Sequence, residues 1–101
     1  MDDEQLDYVF AALADKTRRR ILSHLHMQGE QSLFQICTHL IMATQKDGGK
    51  GISRQAVSQH LDLLERAGIV KVTWSGRTKL HSFDNSPLAK AANNCLHEYL
   101  K

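Results

Sequence analysis

Apolar residues recur along the first half of the chain with the period of a helix. Leu6, Val9, Phe10 and Leu13 stand at i, i+3, i+4 and i+7 and predict a helix over 3–14. Asp15 offers the cap of a second helix, Lys16 to His26, with Ile21, Leu22 and Leu25 on one face. Gln28-Gly29-Glu30-Gln31 interrupts the pattern, and Ser32 caps a third helix built on Leu33, Ile36, Cys37, Leu40 and Ile41. That period makes Cys37 a packing residue rather than a reactive one. From 42 to 51 the period dissolves into a stretch holding Gly48, Gly49 and Gly51, which predicts a flexible loop. Ser53 then caps a fourth helix whose buried stripe is Val57, Leu61 and Leu64 and which stops at Gly68.

Beyond Gly68 the period changes to two. Val70, Val72 and Trp74 alternate with Lys71 and Thr73, Ser75-Gly76 supplies a tight turn, and Thr78 to Phe83 returns, so residues 69–83 predict a two-stranded hairpin. Asn85-Ser86-Pro87 opens a last helix, 87–100, with a continuous stripe of Leu88, Ala91, Ala92, Cys95, Leu96 and Tyr99. The order α-α-α-α-β-β-α, mainly helical with a small hairpin, is that of a winged helix-turn-helix, and 1–101 reads as one such domain.

Length sharpens this picture. A chain of 101 residues has one modest core and cannot bury both the first and the last apolar stripe by itself. The expectation is a homodimer joined through Leu6, Val9 and Phe10 of the first helix and Leu88, Ala92, Cys95, Leu96 and Tyr99 of the last. No apolar run approaches the roughly 18 residues that span a bilayer, and the opening Met1-Asp2-Asp3-Glu4 is acidic where a secretory signal is basic. No membrane partner and a cytoplasmic location follow as expectations, and two cysteines make no disulfide framework.

Net charge is only +2, but it is unevenly placed. Residues 46–79 carry seven bases against three acids, and Lys16, Arg18, Arg19 and Arg20 form a second basic cluster. A basic face on a near-neutral chain fits double-stranded DNA as partner. The fourth helix places Arg54, Gln55, Ser58, Gln59 and Asp62 opposite Val57, Leu61 and Leu64. Arg forks onto guanine, Gln onto adenine and Ser onto base or phosphate, whereas a merely solvated face is richer in Glu and Lys. Catalysis has little support: there is no Gly-x-Ser-x-Gly, no Cys–His pair with an orienting third group and no evident carboxylate pair. Gly48-Gly49-Lys50 lacks the upstream Gly and following Ser or Thr of a phosphate loop. Neither an enzyme nor a cofactor is expected.

Three blocks carry a family resemblance. Phe10-Ala11-Ala12-Leu13-Ala14-Asp15-Lys16-Thr17-Arg18-Arg19-Arg20-Ile21-Leu22, Ile52-Ser53-Arg54-Gln55-Ala56-Val57-Ser58-Gln59-His60-Leu61 continuing through Leu64-Glu65-Arg66-Ala67-Gly68-Ile69-Val70, and Gly76-Arg77 resemble the signatures of ArsR/SmtB-type transcriptional repressors. The resemblance spans nearly the whole chain. It implies a homodimeric winged-helix repressor at a partly palindromic operator, groove-facing residues at Arg54, Gln55, Ser58 and Gln59, and a wing arginine at Arg77.

The departures from that family bear on metal. Where its arsenic-type sensors place a cysteine cluster in the third helix, this chain has Ser32 and Phe34 and keeps only Cys37. Where its zinc-type sensors place paired ligands, only Asp84 and His97 remain, with Ser86 and Leu100 in the other two positions. Within helices, His24 and His26, Cys37 and His39, and Cys95 and His97 are each two apart, about 200° around the axis, so neither member of a pair shares a metal with the other. The six histidines are therefore expected to be structural, with no metal bound. The loop 42–51 is also about ten residues longer than the family's usual turn, as it is in a subset sharing "ISRQAVSQHL"; its Lys46 and Lys50 can reach phosphate or stay in solvent. Two alternatives stand beside this: a metal-responsive repressor of the same family, and a winged helix that binds only protein. An inducer, if there is one, is not identified by the sequence.

Overall fold

The computed structural model describes residues 1–46, 48 and 51–101. Four helices are set by their caps. Helix α1 (Asp3–Leu13) opens on a reciprocal box, the Asp2 carboxylate accepting from Gln5 N–H at 2.8 Å and Gln5 Oε1 from Asp2 N–H at 3.3 Å. Asp15 caps α2 (Lys16–Gln28) by accepting from Arg18 N–H at 3.0 Å, and Gly29, at φ 79°, ends it. Helix α3 (Leu33–Lys46) opens on a second box, Ser32 with Gln35, and Ser53 caps α4 (Arg54–Arg66) at Ala56 N–H, 3.1 Å away. All three caps expected from the sequence form.

Helix α3 corrects the expected loop, because the chain stays helical to Lys46 rather than stopping at Ile41. Residues 42–46 hold no Gly or Pro, Met, Ala, Gln and Lys are good helix formers, and the Thr44 hydroxyl turns back to donate to the Leu40 carbonyl at 2.7 Å. Of the remaining loop, Asp47, Gly49 and Lys50 lie outside the described residues.

Strands β2 (Val70–Ser75) and β3 (Thr78–Phe83) pair antiparallel from Val70↔Phe83 to Ser75↔Thr78, leaving Gly76 and Arg77 as a two-residue turn. Gly76 has φ +61°, the left-handed entry a two-residue hairpin needs. A third strand was not expected: β1 (Gln31–Ser32) pairs with β3 through Gln31↔His81 and Ser32↔Leu80, giving the order β1-β3-β2. Thr73 Oγ1 donates to Glu30 Oε2 at 2.8 Å and ties the wing to the same segment.

Between α4 and the wing the chain makes a Schellman stop. Ile69 N–H donates to the Leu64 carbonyl at 3.0 Å and Gly68 N–H to that of Glu65 at 2.9 Å, with Gly68 at φ +75°. Ile69 and Leu64 are both fully buried, the apolar contact that accompanies this motif. The core joins Val9 and Ala12 of α1, Ile21, Leu22 and Leu25 of α2, Ile36 and Leu40 of α3, and Val57, Leu61 and Leu64 of α4. Val9 therefore belongs to the interior of the single chain and not to a surface between copies, because α1 packs on α4 as well as on the last helix.

That last helix runs unbroken from Ser86 to Tyr99 but is not α-helical throughout. Helix α5 (Ser86–Ala91) passes into a π-type segment, Ala92–Leu96, and then a short α6 (His97–Tyr99). The wider turn rotates the expected stripe: Ala91 is buried, Leu88, Ala92 and Cys95 are half-buried, while Leu96 is 44% and Tyr99 79% exposed. Leu100 joins them on the outside. No described helix is long and apolar enough to cross a membrane.

Candidate nucleic-acid interface

The five residues expected to meet DNA all reach the surface of α4 and the wing. Arg54, Gln55, Gln59 and Arg77 are exposed and Ser58 is half-buried. They do not form one uniform face. Arg54 and Ser58, one turn apart, turn toward the hairpin and line with Arg77 a cleft of about 510 Å³ between α4 and the wing. Gln55 and Gln59 are not part of its lining; they lie about 100–140° further round the helix. Asp62 and Glu65 line the cleft nearer the C-terminal end of α4. Their carboxylates repel phosphate, so the charge gradient favours entry of a duplex at the N-terminal half, where Arg54 stands.

Two aromatic residues in this cleft were not among those expected at the interface. Phe34 is 77% and Trp74 66% exposed, and both line the cleft beside Arg54 and Arg77. The signal was present for Phe34, which falls outside the apolar period Leu33, Ile36, Cys37, Leu40. Lys79 and Thr78 complete the wing side. Behind them His81 is buried and donates Nδ1–H to the Gln31 carbonyl at 3.2 Å, which holds β1 against β3. Burial lowers the His81 pKa, assisted by Lys79 and opposed by the Gln31 bond and Glu65.

The other basic cluster has a different use. Arg18 is half-buried and donates Nε–H to the Ala12 carbonyl at 3.0 Å, Nη2–H to that of Ala11 at 2.7 Å, and Nη1–H to His60 Nδ1 at 3.1 Å. Arg19 donates to the Leu13 carbonyl at 2.7 Å. These guanidinium groups cap the C-terminal carbonyls of α1, and Arg18 also links them to the recognition helix through His60. Asp15 Oδ2 lies 3.9 Å from the same His60 nitrogen. Burial raises the Asp15 pKa, but the Arg18 backbone N–H, His60 and the Arg18 guanidinium outweigh it and leave it lowered.

Among the described residues, no three His, Cys, Asp or Glu side chains gather as a metal site. Asp84 accepts from Ser86 N–H at 2.9 Å and lies 3.9 Å from Lys71 Nζ; the Ser86 bonds, then Lys71 and Lys90, lower its pKa against slight burial. Both cysteines are free and half-buried, and burial raises the Cys37 thiol, opposed by Arg54. His24 and His39, considered only with their own helix neighbours from sequence, meet across α2 and α3 as a stack, centroids 4.0 Å apart.

A three-helix unit with a polar recognition helix, a wing tipped by arginine and a cleft between them defines a winged helix-turn-helix DNA-binding protein. Residues 13–73 match the family model described as a helix-turn-helix domain. The chain is 40% identical over 82 residues to the HTH-type transcriptional regulator YuzN of Bacillus subtilis (strain 168), covering 81% of this chain and 85% of that protein. It is 35% identical over 91 residues to the HTH-type transcriptional regulator CmtR of Mycobacterium tuberculosis (strain ATCC 25618 / H37Rv), covering 90% of this chain and 68% of the relative. The solved structure of an ArsR-like transcriptional regulator from Rhodococcus sp. RHA1 superposes with a TM-score of 0.76 at 30% identity, over 96% of this chain and 81% of that one. The chain belongs to the ArsR/SmtB family of winged-helix transcriptional regulators, and is a DNA-binding regulator rather than an enzyme.

Proposed function

We propose that this regulator is a homodimeric repressor that acts in the cytoplasm at a partly palindromic operator and binds it without a metal ion. Arg54, Gln55, Ser58 and Gln59 read base edges in the major groove, and Arg77 enters the minor groove or meets phosphate. The observation that carries this reading is the shared cleft: Arg54 at the head of α4 and Arg77 at the hairpin tip line one opening, so a duplex seated on α4 meets both. Dimerisation rests on the exposed apolar group Leu96, Tyr99 and Leu100, which follows α5, the part of the last helix that packs against α1 in the same chain. Asp84, held by Ser86 and Lys71, is already engaged, which favours the metal-independent form.

The test is a gel-shift with the DNA upstream of the protein's own gene, repeated with a chelator and with scrambled duplex. The parent should bind the upstream DNA tightly whether or not EDTA is present. Arg54→Ala should cost about 1–3 kcal/mol on the cognate duplex and flatten preference at one base position per half-site. Arg77→Ala should weaken cognate and scrambled DNA alike and lower the log–log salt slope by about 1. Arg54→Ala binding both duplexes as the parent does would remove α4 as the reader.

A further inference from the structure

Helices α2, α3 and α4 each pack on the other two, so the bundle has an outer groove between α2 and α3 on the side away from α4. Lys16, Arg19, Arg20 and Ser23 line it from α2 at i, i+3, i+4 and i+7, and His39, Ala43 and Lys46 line it from α3. The groove measures about 390 Å³, and no Asp or Glu is among the described residues that line it.

Helix phase separates this groove from the DNA cleft. On α2, Arg18 reaches His60 of α4, and Lys16 and Arg20 lie about 160° and Ser23 about 140° around the axis from it. On α3, Phe34 lines the wing cleft, and His39 and Ala43 stand about 140° and 180° away. The two openings share no lining residue. A duplex on α4 therefore does not account for the cations between α2 and α3.

The groove's donors are also held in place. Arg19 is anchored by its bond to the Leu13 carbonyl at 2.7 Å. The His39 ring is stacked on His24, whose Nε2–H donates to Gln31 Oε1 at 3.2 Å. Burial, then His24 and Arg20, lowers the His39 pKa, so at neutral pH the ring is uncharged with one N–H donor. Ammonium groups, a guanidinium, a hydroxyl and an imidazole N–H around one opening match an anion with several acceptor oxygens and more than one negative charge.

We propose that the groove between α2 and α3 binds a small phosphate-bearing anion, distinct from the operator backbone. The test uses the full chain and sodium pyrophosphate as probe, titrated in HEPES against sodium chloride at matched ionic strength. NMR follows the His39 ring and the Ser23 and Ala43 amides. These signals should move saturably, and the double variant K16Q/K46Q should weaken the effect about tenfold. Both lysines are exposed, so the variant keeps the fold, which far-UV circular dichroism checks. Shifts no larger than those in chloride, or equal affinity in the variant, overturn the proposal. A second arm identifies the source of the phosphate. Parent and variant should bind scrambled duplex with the same salt slope, and a slope lowered by about 2 would make the groove a track for DNA phosphates and overturn it too. The pyrophosphate arm needs no DNA, so it fails or succeeds independently of operator binding.

Discussion

Arg18 offers the sharpest test of how the fold uses its charge. Its guanidinium satisfies three acceptors in three directions: the Ala12 carbonyl at 3.0 Å, the Ala11 carbonyl at 2.7 Å and His60 Nδ1 at 3.1 Å. A charge-assisted bond contributes about 1.5–3 kcal/mol when buried, discounted to about 1 kcal/mol here because Arg18 is only half-buried. The Ala11 carbonyl keeps a second donor, Ala14 N–H at 3.2 Å, whereas Ala12 is a residue with no exposed surface and depends more on Arg18 Nε. Arg18→Ala should therefore cost about 2–4 kcal/mol, a fall in Tm on the order of 10–25 °C for a domain of this size. Arg18→Lys keeps the charge but places a single ammonium where a planar fork served three partners, so it should recover less than half of the loss. Thermal and urea unfolding of both variants measure this. Suppose instead that Arg18→Ala unfolds within about 0.5 kcal/mol of the parent while its DNA affinity drops and the salt slope falls by about 1. Arg18 would then be a phosphate contact, and the internal brace would be wrong.

Gly68→Ala should lower stability by about 1 kcal/mol: a left-handed φ of +75° costs Ala about 1–2 kcal/mol, partly offset by a less flexible unfolded chain, and the new Cβ would sit 3.3 Å from Pro87 Cγ. An unchanged Tm would show that α4 and the wing do not depend on the Schellman stop. His39 and His81 both have folded pKa values below the ordinary 6.5, so the unfolded chain binds more protons and stability should fall as pH drops below about 6.5. Asp15 and Asp84 are lowered from 3.8, so their contribution is complete above that value and is lost as pH falls from about 3.8 through their folded pKa values, a separate, more acidic step. Urea midpoints from pH 7.5 to 4 should show the first step, and H39Q/H81Q should flatten it; a parent curve level through pH 6 contradicts the assignment. Leu96→Asp should yield a monomer by light scattering, since it sets unpaired charge in the exposed Leu96, Tyr99 and Leu100 group, and a dimer of unchanged affinity would move the interface elsewhere.

What the sequence disclosed depended on how local the physics is. The Asp15, Ser32 and Ser53 caps, the Gly68 stop and the stripe Val57, Leu61, Leu64 each involve groups within seven residues of one another, and each forms as expected. The end of α3 was misjudged because glycines at 48, 49 and 51 coloured the residues before them, although nothing from Met42 to Lys46 breaks a helix. The π-type segment at Ala92–Leu96 was invisible, since a stripe written at 3.6 residues per turn assumes the period it is meant to detect. Cross-helix meetings were out of reach altogether: His24 on His39, Arg18 on His60, and strand β1 on β3 join residues 15 to 50 positions apart.

The same distinction governs the charge. A linear count can find basic clusters but cannot assign them to surfaces, because helix phase and packing decide which side of the bundle each cation reaches. Here seven of the thirteen Lys and Arg already divide three ways: Arg18 and Arg19 brace the end of α1, Arg54, Arg77 and Lys79 line the cleft beside the wing, and Lys16 and Lys46 face outward between α2 and α3. Arg19 serves both the brace and the outer groove, since its bond to Leu13 fixes the guanidinium along that wall. In the docking proposed above, the middle group stands where a duplex on α4 would lie. On that proposal the number of phosphates this fold neutralises follows from where its cations stand and not from how many the chain carries.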